Sequence, residues 1–330
     1  MDIRNSRSIK NAATEALAAA PGNPKKLALV YLGGITGLSL LLTLGDYFIG
    51  TQMANTGGLA NLGLRSILQT GREILPIVQM FLLLCLEYGY VSVVLGFARK
   101  QETSPQTLLN GFYRLGPVFR FTLLQTLVYS LIGILAVWVG FQVFLITPFS
   151  RPLYELLEPM ISGGVVDESA MMAMDPALAT TIAESCIPLL VIVALIYFVV
   201  LVPVFYSFRM ARFVLMDEPR QGAWASMVDS LNLMKKNRFN LFKLDLSFWW
   251  YYLLQMLATA LCYGDLLLPM VGIMLPWSEE FSYFLFYAAY LLCQFVLCYF
   301  ALNKVEVTYA VTYEILRQPP EVPVFPAPTE

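Results

Sequence analysis

The sequence predicts an all-α, polytopic membrane protein: a bundle of six transmembrane helices with two amphipathic helices lying on one membrane surface. Three observations support this prediction. Of the 330 residues, 58% are hydrophobic and 13% are charged, whereas charged residues make up about 25% of an ordinary soluble domain. The apolar residues form long uninterrupted runs. The basic residues collect between particular runs, which gives the bundle an orientation.

Six apolar runs are long enough to cross a bilayer, for which a helix needs about 20 residues. They are approximately residues 27–49, 74–98, 121–146, 187–208, 246–268 and 281–302. Each is predicted to be a helix, because backbone polar groups in a bilayer must be paired within their own segment. Together they form a membrane domain over residues 27–317. A polar, amphipathic segment (1–26) precedes it, and a proline-rich, disordered tail (318–330) follows it.

Lysine and arginine are distributed unequally between the two sides that these spans define. The side that holds both termini carries 18 of them, seven of which lie between Arg209 and Lys243, and the opposite side carries only Arg65, Arg72 and Arg151. Cationic loops remain in the cytoplasm. We therefore expect a multi-pass protein of the cytoplasmic membrane with its N- and C-termini in the cytoplasm.

Two of the predicted cytoplasmic loops contain an amphipathic pattern. In the first, Ser104 and Pro105 are suited to begin a helix, and Gly116-Pro117 to end it. Its apolar face would consist of Leu108, Leu109, Phe112 and Leu115. In the second, a helix is expected to start at Pro219, with an apolar face of Trp224, Met227, Val228, Leu231 and Met234. Both are predicted to lie at the membrane interface.

The composition excludes several classes of function. Histidine is absent, which removes the commonest general base and the usual zinc ligand. The five cysteines include no C-x-x-C pair, and no phosphate loop, dinucleotide fingerprint or metal-ligand cluster is present. We therefore expect no cofactor and no enzymatic activity. A net charge of −2 argues against nucleic acid as a partner.

The segment Ala211–Phe248 resembles the signature of a bacterial membrane family called domain of unknown function 975. The similar features are an Asp-x-Pro step after a span, a Ser-x-x-Leu-Met element, a basic turn, and a Leu-x-Leu-Ser-Phe sequence. Here they are Asp217 with Pro219, Ser230 with Leu233 and Met234, Lys235 to Arg238, and Leu244 to Phe248. The family has no established reaction, so the resemblance implies an architecture and leaves the function open.

The resemblance extends from about Ile9 to Arg317 but is specific only in the block just described. Two departures from the family pattern occur. Lysines and an asparagine occupy the basic turn where the family often has glycine, and the aromatic residues Trp249, Trp250 and Tyr251 follow Ser-Phe. A close helix approach through that glycine is therefore not expected here.

Glu87 is the most unusual residue of the predicted spans, since a carboxylate inside a membrane is costly and marks a functional site by default. Tyr88 and Tyr90 beside it supply hydroxyl groups. Two interpretations remain open. Glu87 is a structural group, paired with a polar group of a neighbouring helix, or it lines a polar pathway and binds a cation or proton.

Further candidates lie at the predicted cytoplasmic interface. Lys235, Lys236, Arg238 and Lys243 are expected to contact anionic lipids of the inner leaflet, each contributing about 1 kcal/mol near the surface. Asp245 directly precedes the fifth span, and Lys304 and Glu306 follow the sixth. We expect these charges to pair across the two helix ends.

Three classes of function remain. The first is a non-enzymatic protein that organises the envelope through lipids or partner membrane proteins. The second is a permease for a small molecule or lipid with a polar site at Glu87, and the third is a membrane-embedded enzyme that modifies lipids. The sequence favours them in this order.

Overall fold

A computed structural model describes residues 5–55, 62–151, 154, 176–218, 220–270, 272 and 276–318. Its regular secondary structure over these ranges is entirely helical, which confirms the all-α prediction. The helices are α1 (Ser6–Ala19), α2 (Pro24–Asn55), α3 (Leu62–Ala98), α4 (Asn110–Tyr113), α5 (Leu115–Ile146), α6 (Pro176–Phe208), α7 (Ala211–Asp217), α8 (Gly222–Met234), α9 (Arg238–Leu246), α10 (Trp249–Cys262), α11 (Gly264–Met270), α12 (Glu279–Leu297) and α13 (Asn303–Arg317).

Five helical stretches are long and apolar enough to cross a membrane. They contain α2, α3, α5, α6 with α7, and α12 with α13. In four of them at most 22% of the most apolar window is buried, and none of that of the α6 stretch, whereas 56% of the α3 window is buried. Large apolar surfaces of this kind mark contact with lipid or with other proteins. The chain therefore has the architecture of a multi-pass membrane protein.

The predicted fifth span, residues 246–268, is not one continuous helix. Leu246 ends α9, and Ser247 and Phe248 form a turn before α10. Tyr263 then separates α10, which has 14 residues, from α11, which has seven. At 1.5 Å per residue neither helix alone crosses a hydrocarbon core about 30 Å thick.

The second predicted span is part of a longer helix. In the sequence the apolar run starts only after Arg65, Arg72 and Glu73. Helix α3 includes these charged residues and begins earlier, at Leu62. The Arg72 guanidinium pairs with Asp46 of α2 at 2.8 Å, so one of these charges has a partner in the neighbouring helix. Glu87 consequently lies 25 residues after the start of α3, about 37 Å along its axis.

The chain divides into two units, residues 122–209 and the remainder. In the smaller unit, α5 and α6 approach closely at a glycine. A methyl group added at Gly140 would lie 2.9 Å from the Cα atom of Val193. Small residues permit such backbone contact between membrane helices.

The larger unit contains a compact layer, by which we mean α1, residues 85–98 of α3, residues 105–113, α7, α8, α9 and α13. Helix α13 forms its core, and nine of its residues are buried: Asn303, Val305, Val307, Thr308, Tyr309, Ala310, Val311, Thr312 and Tyr313. The threonine hydroxyls donate to carbonyl oxygens one turn earlier. This part of the chain is thus packed like a soluble protein, with its apolar groups inside.

Within the predicted amphipathic N-terminal segment, residues Ser6–Ala19 form helix α1. The side chain of Asn5 caps it by accepting hydrogen bonds from the amides of Arg7 and Ser8. Its apolar face, formed by Ile9, Ala13 and Ala16, is buried, and α1 packs against α3 and α13. The segment is therefore an integral part of the compact layer. Residues 1–4 lie outside the described ranges.

The two predicted interfacial helices differ from each other in the structure. Residues 105–109 form a 3₁₀ turn that leads into the short α4, and Gly116-Pro117 lie within the first turn of α5 instead of ending a helix. The second is the regular helix α8, whose buried face is Ser226, Met227, Ser230 and Met234. The predicted disordered tail lies outside the described residues apart from Gln318.

Candidate functional site

An ion-pair cluster centred on Asp217 joins α3, α7 and α13. Its carboxylate, 8% exposed, lies 2.8 Å from the Arg99 guanidinium and 2.5 Å from that of Arg317, and it accepts a hydrogen bond of 3.0 Å from the Tyr313 hydroxyl. Glu314 contacts Arg99 at 2.6 Å, and Glu218 contacts Arg317 at the same distance. We call these six residues the Asp217 cluster.

The Asp217 cluster gives a structural role to the aspartate of the Asp-x-Pro feature, whereas Pro219 lies outside the described residues. Asp217 ends α7, and its charge ties that helix to α3 and α13. The hydrogen bond with Asp217 raises the pKa of the Arg99 guanidinium above its ordinary value, although the partial burial of Arg99 acts in the opposite direction. Arg99 therefore stays charged, and the cluster is a structural clamp.

A second charged cluster, which we call the Glu87 cluster, consists of Glu87, Arg212 and Glu306. Arg212 of α7 lies 2.7 Å from Glu306 of α13 and 3.7 Å from Glu87 of α3. Arg212 and Glu306 are mostly buried, whereas the Glu87 side chain is 53% exposed. Arg212 is thus held mainly by Glu306, and Glu87 keeps an accessible face. Arg212 is a charged group of a neighbouring helix within ion-pair distance of Glu87, and both interpretations of Glu87 stay predictions.

The two tyrosines beside Glu87 have separate environments. The Tyr90 hydroxyl donates to the Asn303 side chain at 2.7 Å, and its ring stacks on Tyr31 with 4.3 Å between centroids. Tyr88 is buried with its ring edge-on to Phe121 at 6.1 Å. Glu87, Tyr88 and Tyr90 therefore do not converge on one point.

A cavity of about 260 Å³, which we call the glutamine cavity, lies between α2, α10 and α12. Gln255 donates a hydrogen bond of 3.2 Å to Gln294 across it, as expected of polar residues that hold membrane helices together. The side-chain oxygen of Gln255 is buried and has no hydrogen-bond partner among the described residues. Tyr31, Tyr251 and Tyr290 also line this glutamine cavity, and none of its lining residues is charged.

Two further features connect the glutamine cavity with its surroundings. The π-helical turn Cys298–Leu302 contributes Cys298 and Leu302 to its wall, and such turns are frequent at functional sites. The ring of Tyr31, which lines the cavity, stacks on Tyr90 of α3, three residues after Glu87. The cavity therefore lies near the Glu87 cluster, a proximity that no local sequence pattern indicates.

The interface charges have partners other than those expected from the sequence. The Tyr309 hydroxyl donates to Asp245 at 2.5 Å and is also 2.5 Å from the Tyr252 hydroxyl. Glu306 pairs with Arg212. Lys304 is exposed at the start of α13. Asp245 and Glu306 thus face the interior of the compact layer.

Lysine and arginine have different roles in this protein. Arginine supplies every ion pair of the described residues, whereas none of the eight lysines lies within 4.0 Å of a described carboxylate. Instead, Lys10, Lys25 and Lys243 each lie over an aromatic ring. Burial lowers the pKa of the Lys10 ammonium, and the positive charge of Lys304 lowers it further.

Helices α8 and α9 carry exposed basic residues around their junction, and exposed aromatic side chains lie in the same two helices. Lys235, Lys236 and Lys243 are exposed, and Arg238 is half-buried. Trp224 and Phe239 are 66% and 64% exposed, and the Lys243 ammonium lies 4.7 Å from the centre of the Phe239 ring. We call Lys235, Lys236, Arg238 and Lys243, with these aromatics, the basic rim. Exposed aromatics beside lysines suit the interface between a membrane and water.

Within the described residues, no group of three or more cysteine, aspartate or glutamate side chains is arranged to hold a metal ion. All five cysteines are free, and Cys85 and Cys298 are buried.

Comparisons with known proteins identify a family but no function. No curated protein and no solved structure matches the chain. The family described as "Protein of unknown function (DUF975)" matches residues 1–318, nearly the whole length. The family resemblance of the Ala211–Phe248 segment is thereby confirmed, and the chain belongs to the DUF975 family.

Proposed function

We propose that this protein is a non-enzymatic protein of the bacterial cytoplasmic membrane that binds anionic lipids of the inner leaflet and thereby organises the envelope or partner membrane proteins. In this proposal α10 and α11 together form a sixth span, and both termini are cytoplasmic. The ratio of 18 to three basic residues between the two sides supports that orientation.

The observation that carries the proposal is the absence of described carboxylate partners for all eight lysines, together with the exposed aromatics of the basic rim. Unpaired cations keep their charge available for an external anion. An anionic lipid surface attracts each of them by about 1 kcal/mol, and exposed tryptophan and phenylalanine side chains insert at the same depth. Lipid is therefore the ligand that best matches this surface.

Replacing Lys235, Lys236 and Arg238 with glutamine is expected to weaken the preference for anionic lipid. The loss of three charges at about 1 kcal/mol each corresponds to about a hundredfold change. The measurement is the partition of anionic against zwitterionic spin-labelled lipid around the protein reconstituted in vesicles.

The control is the replacement of Arg65 and Arg151, two exposed basic residues of the opposite side that form no described ion pair. It should leave the lipid preference of the inner face unchanged in vesicles of defined orientation. If the wild type and the basic-rim variant had equal lipid preference, these residues would serve only to set the orientation of the chain in the membrane.

A second candidate function, a permease, is supported by the glutamine cavity. An unpartnered buried acceptor costs free energy unless a ligand or water satisfies it. The neighbouring Glu87 keeps an accessible carboxylate beside Arg212, and a carboxylate of this kind is a typical coupling site for a proton or cation.

If the protein couples transport to protons, the Glu87→Gln variant should lose proton uptake while expression and thermal stability stay unchanged. Uptake is followed with a pH-sensitive dye trapped in proteoliposomes under an imposed membrane potential. Glu218→Gln, which neutralises an exposed carboxylate, serves as the control. Wild-type uptake no faster than that of empty vesicles, or equal uptake by Glu87→Gln, removes this candidate.

A further inference from the structure

A pocket of about 330 Å³ lies where α2 begins beside the π-helical turn and α13. Asn23 of the connection between α1 and α2, together with Lys25 in the first turn of α2, forms one wall. Tyr299, Phe300 and Lys304 form the other. The volume is at the small end of the range for ligand sites, about 300–1,000 Å³. It suits a compact headgroup.

The charge of this Lys25 pocket is positive and uncompensated. Lys25 and Lys304 line it, and neither has a described carboxylate within 4.0 Å. Lys10 lies close enough to Lys304 for the two charges to repel. Glu306, two residues after Lys304, is held by Arg212. Like charges grouped in this way are unfavourable until an anion binds among them.

The walls of the Lys25 pocket are fixed before any ligand binds. The Asn303 amide donates to the carbonyl oxygen of Pro24 at 2.8 Å, and its oxygen accepts from Tyr90. These bonds hold the start of α2 against α13. The N-terminal end of α2, where the helix dipole is positive, therefore lies at the pocket. A preformed site loses less free energy on binding than one that must be ordered.

One side of the pocket is apolar and exposed. The Lys25 ammonium lies 4.6 Å from the centre of the Tyr299 ring, and Phe300 is 69% exposed. Helices α2 and α12 extend from this point with exposed apolar side chains, including Val30, Phe295 and Val296. A ligand that fits both parts has an anionic head and hydrocarbon chains.

We propose that the Lys25 pocket binds the phosphate of a single anionic phospholipid, with the phosphate between Lys25 and Lys304 and the acyl chains along α2 and α12. The inference rests on the proposed function in one respect, since both require the compact layer to face the anionic leaflet. It differs in naming a discrete site, separate from the basic rim, with a stoichiometry of one lipid.

The test is native mass spectrometry of the full chain, released from nanodiscs that contain phosphatidylglycerol in phosphatidylcholine. The wild type is expected to retain one phosphatidylglycerol molecule. The Lys25→Gln/Lys304→Gln variant should bind it about 30-fold more weakly, from about 1 kcal/mol per cation. Both lysines are exposed, so folding should be preserved. The Lys25→Arg/Lys304→Arg variant should retain the lipid.

The matched control is Lys235→Gln/Lys236→Gln, which removes the same charge from the basic rim. It should keep the single bound lipid while the wider lipid preference falls, so failure of this inference is distinguishable from failure of the proposed function. Equal lipid retention by the Lys25→Gln/Lys304→Gln variant overturns the inference. Displacement of the lipid by excess inorganic phosphate, with phosphate remaining bound, would assign the pocket to free phosphate and overturn it too.

Discussion

Replacing Gly111 with alanine is expected to destabilise the compact layer by more than about 3 kcal/mol, beyond the usual cost of overpacking. A methyl group there would lie 2.7 Å from the Cys85 carbonyl carbon and 2.9 Å from the Gly89 amide nitrogen. Both neighbours are backbone atoms of α3, so no side chain can rotate away. The measurement is thermal unfolding of the purified protein in detergent, followed by circular dichroism.

Gly33→Ala is the matched control, because an added methyl group there meets no atom of another element within 4 Å. Gly33 is exposed in the interior of α2, where alanine is expected to be neutral or slightly stabilising. Gly89 lies on the other side of the same crossing. A methyl group at Gly89 would lie 2.6 Å from the Leu108 carbonyl carbon, so Gly89→Ala should resemble Gly111→Ala. Equal stability of the Gly111 and Gly33 variants would contradict this account of the crossing.

The Asp217→Asn substitution is expected to lower the free energy of unfolding by about 3 kcal/mol, the lower end of the range for breaking a buried ion pair. Two guanidinium groups would lose the carboxylate that lies between them, and Arg99 would keep only Glu314. The lower end applies because both arginines are partly exposed to solvent. Chemical denaturation in mixed micelles measures the change.

Glu218→Gln is the control for this prediction. Glu218 is the next residue and contacts the same Arg317, but that pair is exposed on both sides. An exposed pair contributes about 1 kcal/mol or less. A loss of stability as large as that of Asp217→Asn would show that burial is not the reason for the importance of Asp217.

The course of α3 shows where sequence reasoning succeeds and where it stops. The apolar run from residue 74 predicts a membrane helix correctly, because hydropathy is a property of consecutive residues. The same reasoning places Glu87 near the middle of a span. In the structure the helix begins at Leu62 and includes Arg72, which is paired with Asp46 of the preceding helix. Glu87 consequently lies where the buried part of α3, from Cys85 to Phe97, begins.

The interruption of the predicted fifth span has a different cause. Its composition is mostly apolar, so a hydropathy window gives one span over residues 246–268. The structure instead turns at Ser247 and Phe248, where the Lys10 ammonium donates to the Ser247 carbonyl oxygen at 2.8 Å and lies over the Phe248 ring. This contact comes from α1, more than 200 residues earlier, and no local window includes it.

The sequence by itself determined the helical class, the membrane architecture, the grouping of basic residues and the family. These properties depend on composition and on patterns within about 20 residues. Only the tertiary structure decided which charges are paired. It placed Arg99 and Arg317 in the Asp217 cluster and Arg212 beside Glu87 and Glu306, and it left the lysines of the basic rim and the Lys25 pocket without described carboxylate partners. The reason is physical: Arg99 and Asp217 are 118 positions apart in the sequence, and an ion pair depends on distance in space alone.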